Sequence, residues 1–173
     1  MKYKTKYVHA KNTIVGGNGN TNVVVGFLFY ITPPSDGSMC PSEEFNEMGK
    51  NTAIESLGIR ITKIGEDSLE GEMPIDTRTH QIQGILHGGS SVLFAETLGS
   101  LAGLLAAKEG FTVVGLDINA NHLRGFPDGS VLGIATAIHI GRTTQVWEIK
   151  ISHKETKKLV CVSRLTIAVI KEI

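Results

Sequence analysis

The sequence has few cysteines and no excess of charge of either sign. Only Cys40 and Cys161 occur among 173 residues, far apart and without a CxxC pair, so neither a disulfide framework nor a zinc ribbon is expected. This cysteine usage favours a reducing compartment, and we expect a cytoplasmic protein. Lys plus Arg and Asp plus Glu both number 17. Without a basic excess, binding to nucleic acid or to an anionic membrane is not expected.

The sequence also lacks an uninterrupted apolar run that could cross a membrane. The longest apolar stretch, residues 85–107, contains His87, Glu96 and four glycines. An ionised carboxylate in the middle of such a segment is costly in lipid, so we interpret the stretch as a helix buried inside the fold. A shorter run, residues 23–31, is too short at nine residues to span a bilayer.

Length and composition are those of one globular domain with an unusual start. Hydrophobic residues make up 41% and charged residues 20%, and the length corresponds to about one domain. Residues 1–40 combine a Lys-rich start, a Gly/Asn tract, a short apolar run and PPSDGSMC. They are interpreted as a leader, an extra strand or arm, or translated sequence upstream of a start at Met39 or Met48. We therefore divide the chain into an extension, 1–40, and a folded domain, 41–173.

The folded domain has the pattern of one long helix and several strands. SEEFNEMG predicts a short helix with Ser42 as its N-cap and Gly49 after its end. A long helix is expected over about 90–108, with Gly110 in a left-handed conformation after it. Strands are expected at 56–64, 68–75, 114–122, 131–140, 145–151 and 159–170, the first two joined by a tight turn at 65–67. Mostly hairpin-linked strands and one helix indicate an α+β fold with the sheet wrapped on the helix.

The strand at 114–122 shows a clear alternation. It places five residues on one face: Val114, Leu116, Ile118, Ala120 and His122. It places three on the other: Asp117, Asn119 and Asn121.

The chemistry is concentrated in residues 81–100, QIQGILHGGSSVLFAETLGS. Gly88 and Gly89 lie at the start of the long helix, with Ser90 and Ser91 as candidate caps. Glycines there allow a ligand to approach free N–H groups, and the helix dipole favours negative charge. Such N–H groups could bind a developing oxyanion.

Helical spacing places an acid on a stripe of small and apolar residues: Gly89, Leu93, Glu96, Ser100 and Gly103. We expect Glu96 to be buried and to act as a base, or alternatively to be a structural acid with a buried partner. For His87 the alternative is a loop or capping role. Gly99 and Gly103 form a GxxxG, which predicts close packing of the helix against a neighbouring element.

HGGSSVLFAE, with RTHQIQGIL before it and VVGLDINANHLR after it, resembles the hotdog-fold acyl-CoA thioesterases. The most similar branch hydrolyses aryl-CoA thioesters such as 4-hydroxybenzoyl-CoA and 1,4-dihydroxy-2-naphthoyl-CoA. The resemblance runs from about residue 48 to 170. It implies a curved antiparallel sheet around a long central helix, hydrolysis to free acid and CoA, and no metal or organic cofactor. It also implies a homodimer or homotetramer with the active site at the dimer interface.

The resemblance further implies roles for individual residues. Glu96 would be the general base or nucleophile, and Gln81, His87 and the N–H of Gly88 would surround the thioester carbonyl. Ser100 would help to hold the attacking water or the substrate. For CoA it implicates Gly115, His122, Arg124, His139, Gly141, Arg142, Thr143 and Thr144. Gly125 and Arg142 depart from the family pattern, because relatives have Ser at both places.

Other functions remain open at this point. The same fold supports a hydratase or dehydratase, a non-catalytic acyl-CoA or acyl-carrier binding module, and a thioesterase acting on an acyl-carrier protein. Alternation places Asp117 and His122 on opposite faces, which argues against the Asp/His pair of a hydratase. Arg124 and Arg142 could also be ordinary solvated side chains at turns. None of the six histidines forms HxxxH or HExxH, so a metal site is weakly indicated.

Overall fold

The computed structural model of the protein describes residues 41–171, so the predicted extension, 1–40, lies outside the described residues. Within this part are three helices: α1 (Pro41–Met48), α2 (Ala53–Ser56) and α3 (Gly88–Ala106). It also contains six strands: β1 (Arg60–Ile64), β2 (Ser68–Pro74), β3 (Phe111–His122), β4 (Ser130–Ile140), β5 (Thr144–His153) and β6 (Leu159–Lys171).

The six strands form one antiparallel sheet around α3. Their order is β1-β2-β4-β5-β6-β3, so β1 and β3 are the edge strands. Helix α3 contacts β2 to β6. Strand β5 shows why one face of the sheet is apolar: Trp147, Ile149 and Ile151 alternate with less buried residues and are fully buried. The predicted α+β architecture, a sheet wrapped around a long helix, is confirmed.

Helix α3 is long and apolar enough, by length and composition alone, to cross a membrane. In the fold its inner face is covered by the sheet, and the buried residues include Phe94, Ala95, Leu98 and Ala102. Gly99 and Gly103 also face inward, where a Cβ on Gly103 would collide with Cδ1 of Ile167. The predicted close packing at the GxxxG is confirmed, and the interpretation of this stretch as a helix of the fold is confirmed for its inner face, which alone is buried.

The predicted strand at 56–64 is wrong in its first half. Residues 53–56 form α2, which Thr52 caps by accepting a hydrogen bond from the N–H of Ile54 at 3.2 Å. Gly58, at φ +68°, then turns the chain into β1, which begins only at Arg60. Helix α1 begins at Pro41, so Ser42 lies inside it and is not its N-cap.

The start of α3 also differs from the prediction. The helix begins at Gly88, two residues early, and His87 is its N-cap in place of Ser90 or Ser91. Its end falls at Ala106 and not at Lys108. Gly110 has φ +79°, so its predicted left-handed conformation is confirmed, although it belongs to the turn before β3.

The alternation predicted for β3 holds only in part. The pairing with β6 shifts between Gly115 and Asp117, so Leu116 forms a bulge. After the bulge, Ile118, Ala120 and His122 lie on the inner face as predicted, and Asp117 lies opposite them. Before it, Val113 packs against the core, whereas Val114 points outward. Leu116 is 62% exposed, so the prediction that Val114 and Leu116 share a face with Ile118 is wrong.

Candidate active site

Glu96 is exposed in this chain, which corrects the expectation that it is buried. Its carboxylate points from α3 towards the edge strand β3, beside Gly115. Oε1 lies 3.2 Å from the position that a Cβ on Gly115 would occupy. Because β3 is the last strand of the sheet, nothing else within residues 41–171 covers the carboxylate on that side.

Glu96 lines a groove of about 300 Å³ on the face of α3. The groove is lined by Ile54, Leu93, Glu96, Thr97, Ser100 and Leu101. Ser100 thus lies beside Glu96, as helical spacing predicted. Among the described residues, neither the Glu96 carboxylate nor the Ser100 hydroxyl has a hydrogen-bond partner. Both polar groups are therefore available to a ligand in the groove.

The groove also contains residues that the sequence did not point to. Leu93 was already on the predicted stripe, but Thr97 and Leu101 were not. They lie four and eight positions after Leu93, so helical spacing from Leu93 could have identified both. Ile54 lies 42 positions before Glu96, on α2, and no local pattern connects the two.

The helix N-terminus offers a second set of polar groups. Nδ1 of His87 accepts a hydrogen bond from the N–H of Gly89 at 2.7 Å, so His87 is a cap, the alternative that the sequence left open. The N–H of Gly88 has no partner within the described residues, as is usual in the first turn of a helix. His122 covers this point, with Nε2 3.0 Å from the position of a Cβ on Gly88.

The loop before α3 is held in place by its own hydrogen bonds. Oε1 of Gln81 accepts from the N–H of Gln83 at 2.5 Å, and the Gln81 N–H donates to the carbonyl of Ile85 at 2.9 Å. The N–H of His87 donates to the carbonyl of buried Thr79 at 2.8 Å. Gln81 and His87 are therefore held in the loop that leads to Gly88.

An ion pair stabilises the turn that leads into this loop. The Arg78 guanidinium contacts both carboxylate oxygens of Asp76, the shorter contact being 2.6 Å. This side-chain hydrogen bonding, together with the backbone N–H of Arg78, lowers the pKa of Asp76 to about 2.

One chain does not bring the two polar sets together. Gly88 and Glu96 are eight residues apart on one helix, which separates them by about 12 Å along its axis. The Glu96 carboxylate lies beside Gly115 and Gly88 lies beside His122, towards opposite ends of β3, so one thioester carbonyl cannot contact both groups. The predicted catalytic residues therefore form two separate sets, each called a half-site below: Glu96 with Ser100, and Gln81 with His87 and Gly88.

The residues implicated in CoA binding also fall into two groups. Thr144 and Val114 both pair with Ala168, so the turn at 141–143 lies at the Gly115 end of the sheet. His122 and Arg124 lie at the other end, about eight residues or 26 Å further along β3. Gly141 donates to Thr144 at 2.9 Å and His139 lies against Gly141, so His139 to Thr144 form one compact turn.

The two arginines differ in their surroundings. Arg124 donates from Nη1 to the carbonyl of Leu159 at 2.9 Å, which gives it a structural contact as well as an exposed position. Arg142 is exposed and has no side-chain partner within the described part of the chain. Residues 41–171 contain no cluster of three His, Cys, Asp or Glu side chains that could hold a metal ion.

The sequence is similar to known thioesterases. The thioesterase superfamily model matches residues 83–160. The proofreading thioesterase EntH of Cronobacter turicensis is 48% identical over 127 residues, which cover 73% of this chain and 92% of that protein. The EntH of Cronobacter sakazakii is 47% identical over 128 residues, covering 74% and 93%.

Solved structures agree with these sequence matches. A crystal structure of a thioesterase from Haemophilus influenzae superposes with a TM-score of 0.74 at 54% identity, over 78% of this chain and 93% of that one. A mutant thioesterase from Pseudomonas aeruginosa superposes with a TM-score of 0.75 at 44% identity, over 79% and 98%. The similarity therefore extends over nearly the full length of each of these proteins.

Proposed function

The chain belongs to the thioesterase superfamily and is a hotdog-fold thioester hydrolase, and we propose that its substrate is an acyl-CoA with an aryl or other bulky acyl group. The products would be the free acid and CoA. The observation that carries this proposal is the pair formed by Glu96 and Ser100, polar groups without a partner in the described chain, in an otherwise apolar groove. An acyl group can pack on the apolar walls while its thioester reaches the carboxylate.

Glu96 would supply the base. A carboxylate next to the thioester removes a proton from water as the water oxygen adds to the carbonyl carbon. The C–S bond of the resulting tetrahedral intermediate then breaks, and the CoA sulfur takes the proton. Alternatively, the Glu96 carboxylate itself adds to the carbonyl carbon, the C–S bond breaks, and CoA leaves as a thiolate that takes a proton from water. A second water then hydrolyses the mixed anhydride, which releases the free acid and restores Glu96. Ser100 lies where its hydroxyl would orient the water or the substrate in either sequence.

The start of α3 would polarise the carbonyl. Because Nδ1 of His87 accepts the Gly89 N–H, a neutral ring carries its proton on Nε2, which leaves that N–H free to donate. The N–H of Gly88 is a second donor and benefits from the positive end of the helix dipole. The Gln81 amide would be a third polar contact. These donors favour the oxyanion of the tetrahedral intermediate over the uncharged carbonyl.

The complete site would require two chains. Glu96 and Gly88 lie about 12 Å apart in one chain, so each would act with the opposite half-site of a partner subunit. Strand β3 is an edge strand of 12 residues, paired with β6 on one side only. Its other side presents free backbone N–H and C=O groups that are well suited to pair with a second copy. Leu116 on this strand and Ile82 on the loop are strongly exposed apolar side chains. We infer a homodimer, or a homotetramer built from such dimers.

Pairing of two antiparallel β3 strands would also unite the CoA residues. The His122 and Arg124 end of one chain would approach the Gly115 and 141–143 end of its partner. The adenosine phosphates would then contact arginines from both subunits. The proposed chemistry needs no metal ion or organic cofactor, because a carboxylate activates the water and N–H groups polarise the carbonyl. The low cysteine content favours a cytoplasmic location.

The first test is a thiol-release assay with Glu96→Gln. The substrates are benzoyl-, 4-hydroxybenzoyl-, phenylacetyl-, hexanoyl- and palmitoyl-CoA. We expect the native protein to prefer the aryl thioesters, and Glu96→Gln to lower kcat by about 10² to 10⁴ because the amide cannot accept the proton. Glu109→Gln is the matched control, since Glu109 is an exposed acid just after α3 and should keep native activity.

Three results would contradict the proposal. Near-native turnover by Glu96→Gln would remove Glu96 from the mechanism. Thermal stabilisation by CoA without thiol release from any substrate would indicate a binding module. Loss of crotonyl-CoA absorbance without thiol release would indicate a hydratase.

A further inference from the structure

The groove beside Glu96 has one wall that does not belong to α3. Five lining residues lie on one face of α3 at helical spacing: Leu93, Glu96, Thr97, Ser100 and Leu101. The sixth, Ile54, comes from α2 and lies across the groove from them. The width of the groove therefore depends on where α2 holds Ile54.

The position of Ile54 is fixed by several contacts. Thr52 caps α2 and also donates to the carbonyl of Gly49 at 2.6 Å, which ties α2 to the end of α1. Cγ2 of Ile54 lies 3.0 Å from the position of a Cβ on buried Gly49, so this methyl group packs against the end of α1. The carbonyl of Ile54 accepts from the N–H of Ile59 at 2.9 Å.

Helix α1 is itself attached to the sheet. Asn46 accepts from the N–H of Ile61 at 2.8 Å and donates to the carbonyl of the same residue at 3.1 Å. These paired hydrogen bonds occupy both backbone groups of one β1 residue. The segment from α1 to α2 is therefore held against β1, and Ile54 forms a fixed wall rather than part of a loose flap.

The groove is more apolar than its residue names suggest. Thr97 donates its hydroxyl hydrogen to the carbonyl of Leu93 at 2.8 Å, so that hydrogen is not available to a ligand. Glu96 is the sole ionisable residue among the six that line it. The walls thus suit an apolar group, and the polar groups at Glu96 and Ser100 suit the thioester attached to it.

We propose that Ile54 sets the size of the acyl group that the enzyme accepts, by closing the side of the groove opposite Leu93 and Leu101. This inference rests on the proposed function. A groove of about 300 Å³ is at the small end of ligand sites, so the six residues of this chain contact only a compact part of the acyl group. Shortening Ile54 widens the groove for a two-ring acyl group, and enlarging it narrows the groove.

The experiment compares benzoyl-CoA with 2-naphthoyl-CoA as substrates of Ile54→Ala and Ile54→Phe. The ratio of kcat/KM for naphthoyl-CoA over benzoyl-CoA is expected to rise at least about tenfold in Ile54→Ala and to fall about tenfold in Ile54→Phe. Adding or removing a few carbon atoms in an apolar pocket changes the discrimination between two substrates by this amount. Leu57→Ala is the control. Leu57 is also half-buried at the end of α2 but does not line the groove. The kcat/KM ratio of Leu57→Ala should therefore stay within about twofold of the native ratio.

Sedimentation of each variant separates this role from a role in subunit contact. An unchanged mass with the shifted ratios supports the inference. A ratio that stays native in both Ile54 variants, or a change of mass in place of a change of ratio, overturns it. If the native protein hydrolyses both substrates and Glu96→Gln does not, unshifted ratios in the Ile54 variants contradict only the role of Ile54 and leave the proposed function in place. If the native protein releases no thiol from any acyl-CoA, the proposed function itself fails and Ile54 has no acyl group to select.

Discussion

The polar side chains of α3 divide into two groups by their hydrogen bonds. Ser91 and Thr97 donate to backbone carbonyls one turn earlier, at His87 and Leu93, which is a common way to satisfy a hydroxyl inside a helix. Glu96 and Ser100 have no partner within residues 41–171. A carboxylate and a hydroxyl left without partners on an apolar face are more useful to a ligand than to the fold, which is why the proposed chemistry begins from them.

Asp76 has the opposite role, because its carboxylate serves the fold. Its pKa of about 2 in the folded chain lies below the value near 3.9 of an unfolded chain. The ionised form is therefore favoured by folding, and the resulting stabilisation is fully present above about pH 4 and is lost as the pH falls towards 2. The pair with Arg78 is largely exposed, which limits its effect.

We expect Asp76→Asn to lower Tm by about 1–4 °C at pH 7, since the amide keeps an acceptor for the Arg78 N–H but loses the charge. The difference from the native protein should shrink below pH 4 and disappear near pH 2. Thermal unfolding measured between pH 2 and 7 checks this. Asp67→Asn, at an exposed acid in the turn between β1 and β2, should show no such trend. A difference that stays constant over this range would mean that the charge is not responsible.

Helix α3 is fitted to the sheet by glycine. Gly103 faces Ile167, Gln145 and Trp147, and the Gln145 amide donates to the Gly103 carbonyl at 3.3 Å. Oε1 of Gln145 accepts from Nε1 of Trp147 at 3.0 Å, so this buried polar group is satisfied. The absence of a side chain at Gly103 is what lets the helix backbone come this close to β5 and β6.

Gly103→Ala is expected to lower the free energy of unfolding. The added methyl collides with Cδ1 of Ile167, and such overpacking costs about 1–3 kcal/mol, more than the about 1 kcal/mol that alanine gains over glycine in a helix. Ile167→Val removes that Cδ1 atom. The double variant should therefore be more stable than the sum of the single effects predicts, in urea unfolding.

Gly110→Ala provides the comparison for this prediction. Gly110 has φ +79°, and no atom lies within 4 Å of the position of a Cβ. The destabilisation caused by Gly110→Ala therefore comes from the backbone conformation and not from a collision. Ile167→Val should not rescue it. Additive effects for Gly103→Ala and Ile167→Val would show that the collision is not the cause.

The molecule as a whole is asymmetric in how it covers its site. The inner side of α3 is covered by the sheet, whereas its outer side is an open groove with Ile54 at one wall. The Glu96 carboxylate lies beside Gly115 of the edge strand β3. One half-site lies two turns into α3, and the other lies at its start and in the loop before it. A second copy would cover the exposed edge and bring the opposite half-site to each Glu96.

Complementation between two inactive variants tests this arrangement. Asn is a good N-cap residue, so His87→Asn should keep the start of α3 while removing the Nε2–H donor, with a loss of about 10² to 10³ in kcat. A mixed dimer contains one His87→Asn chain and one Glu96→Gln chain. One of its two sites then has a native Glu96 and a native His87, and the other site has neither. Refolding equal amounts together should therefore restore about a quarter of native activity.

The control is each variant refolded alone, which should stay inactive. No recovery in the mixture, although sedimentation shows a dimer, would place Glu96 and His87 of the same chain in one site. That result would contradict the division into half-sites.

The sequence by itself determined the features that depend on neighbours along the chain. The apolar run at 85–107, the GxxxG and the turn glycines predicted the long core helix and its hairpin-linked strands, because helix and strand periods are local properties. The resemblance carried by HGGSSVLFAE gave the superfamily. Ser100 was correctly placed one turn from Glu96 for the same local reason.

Only the tertiary structure decided how those elements expose their side chains. Glu96 is accessible because β3 is the last strand, and strand order arises from pairings between residues far apart in the sequence. The bulge at Leu116 turned Val114 outward, which no alternation pattern signals. His87 became the cap because the Thr79 carbonyl holds its backbone N–H. Ile54 joined the groove through contacts across 42 residues. Burial and proximity are set by long-range packing, and a single sequence records them only indirectly.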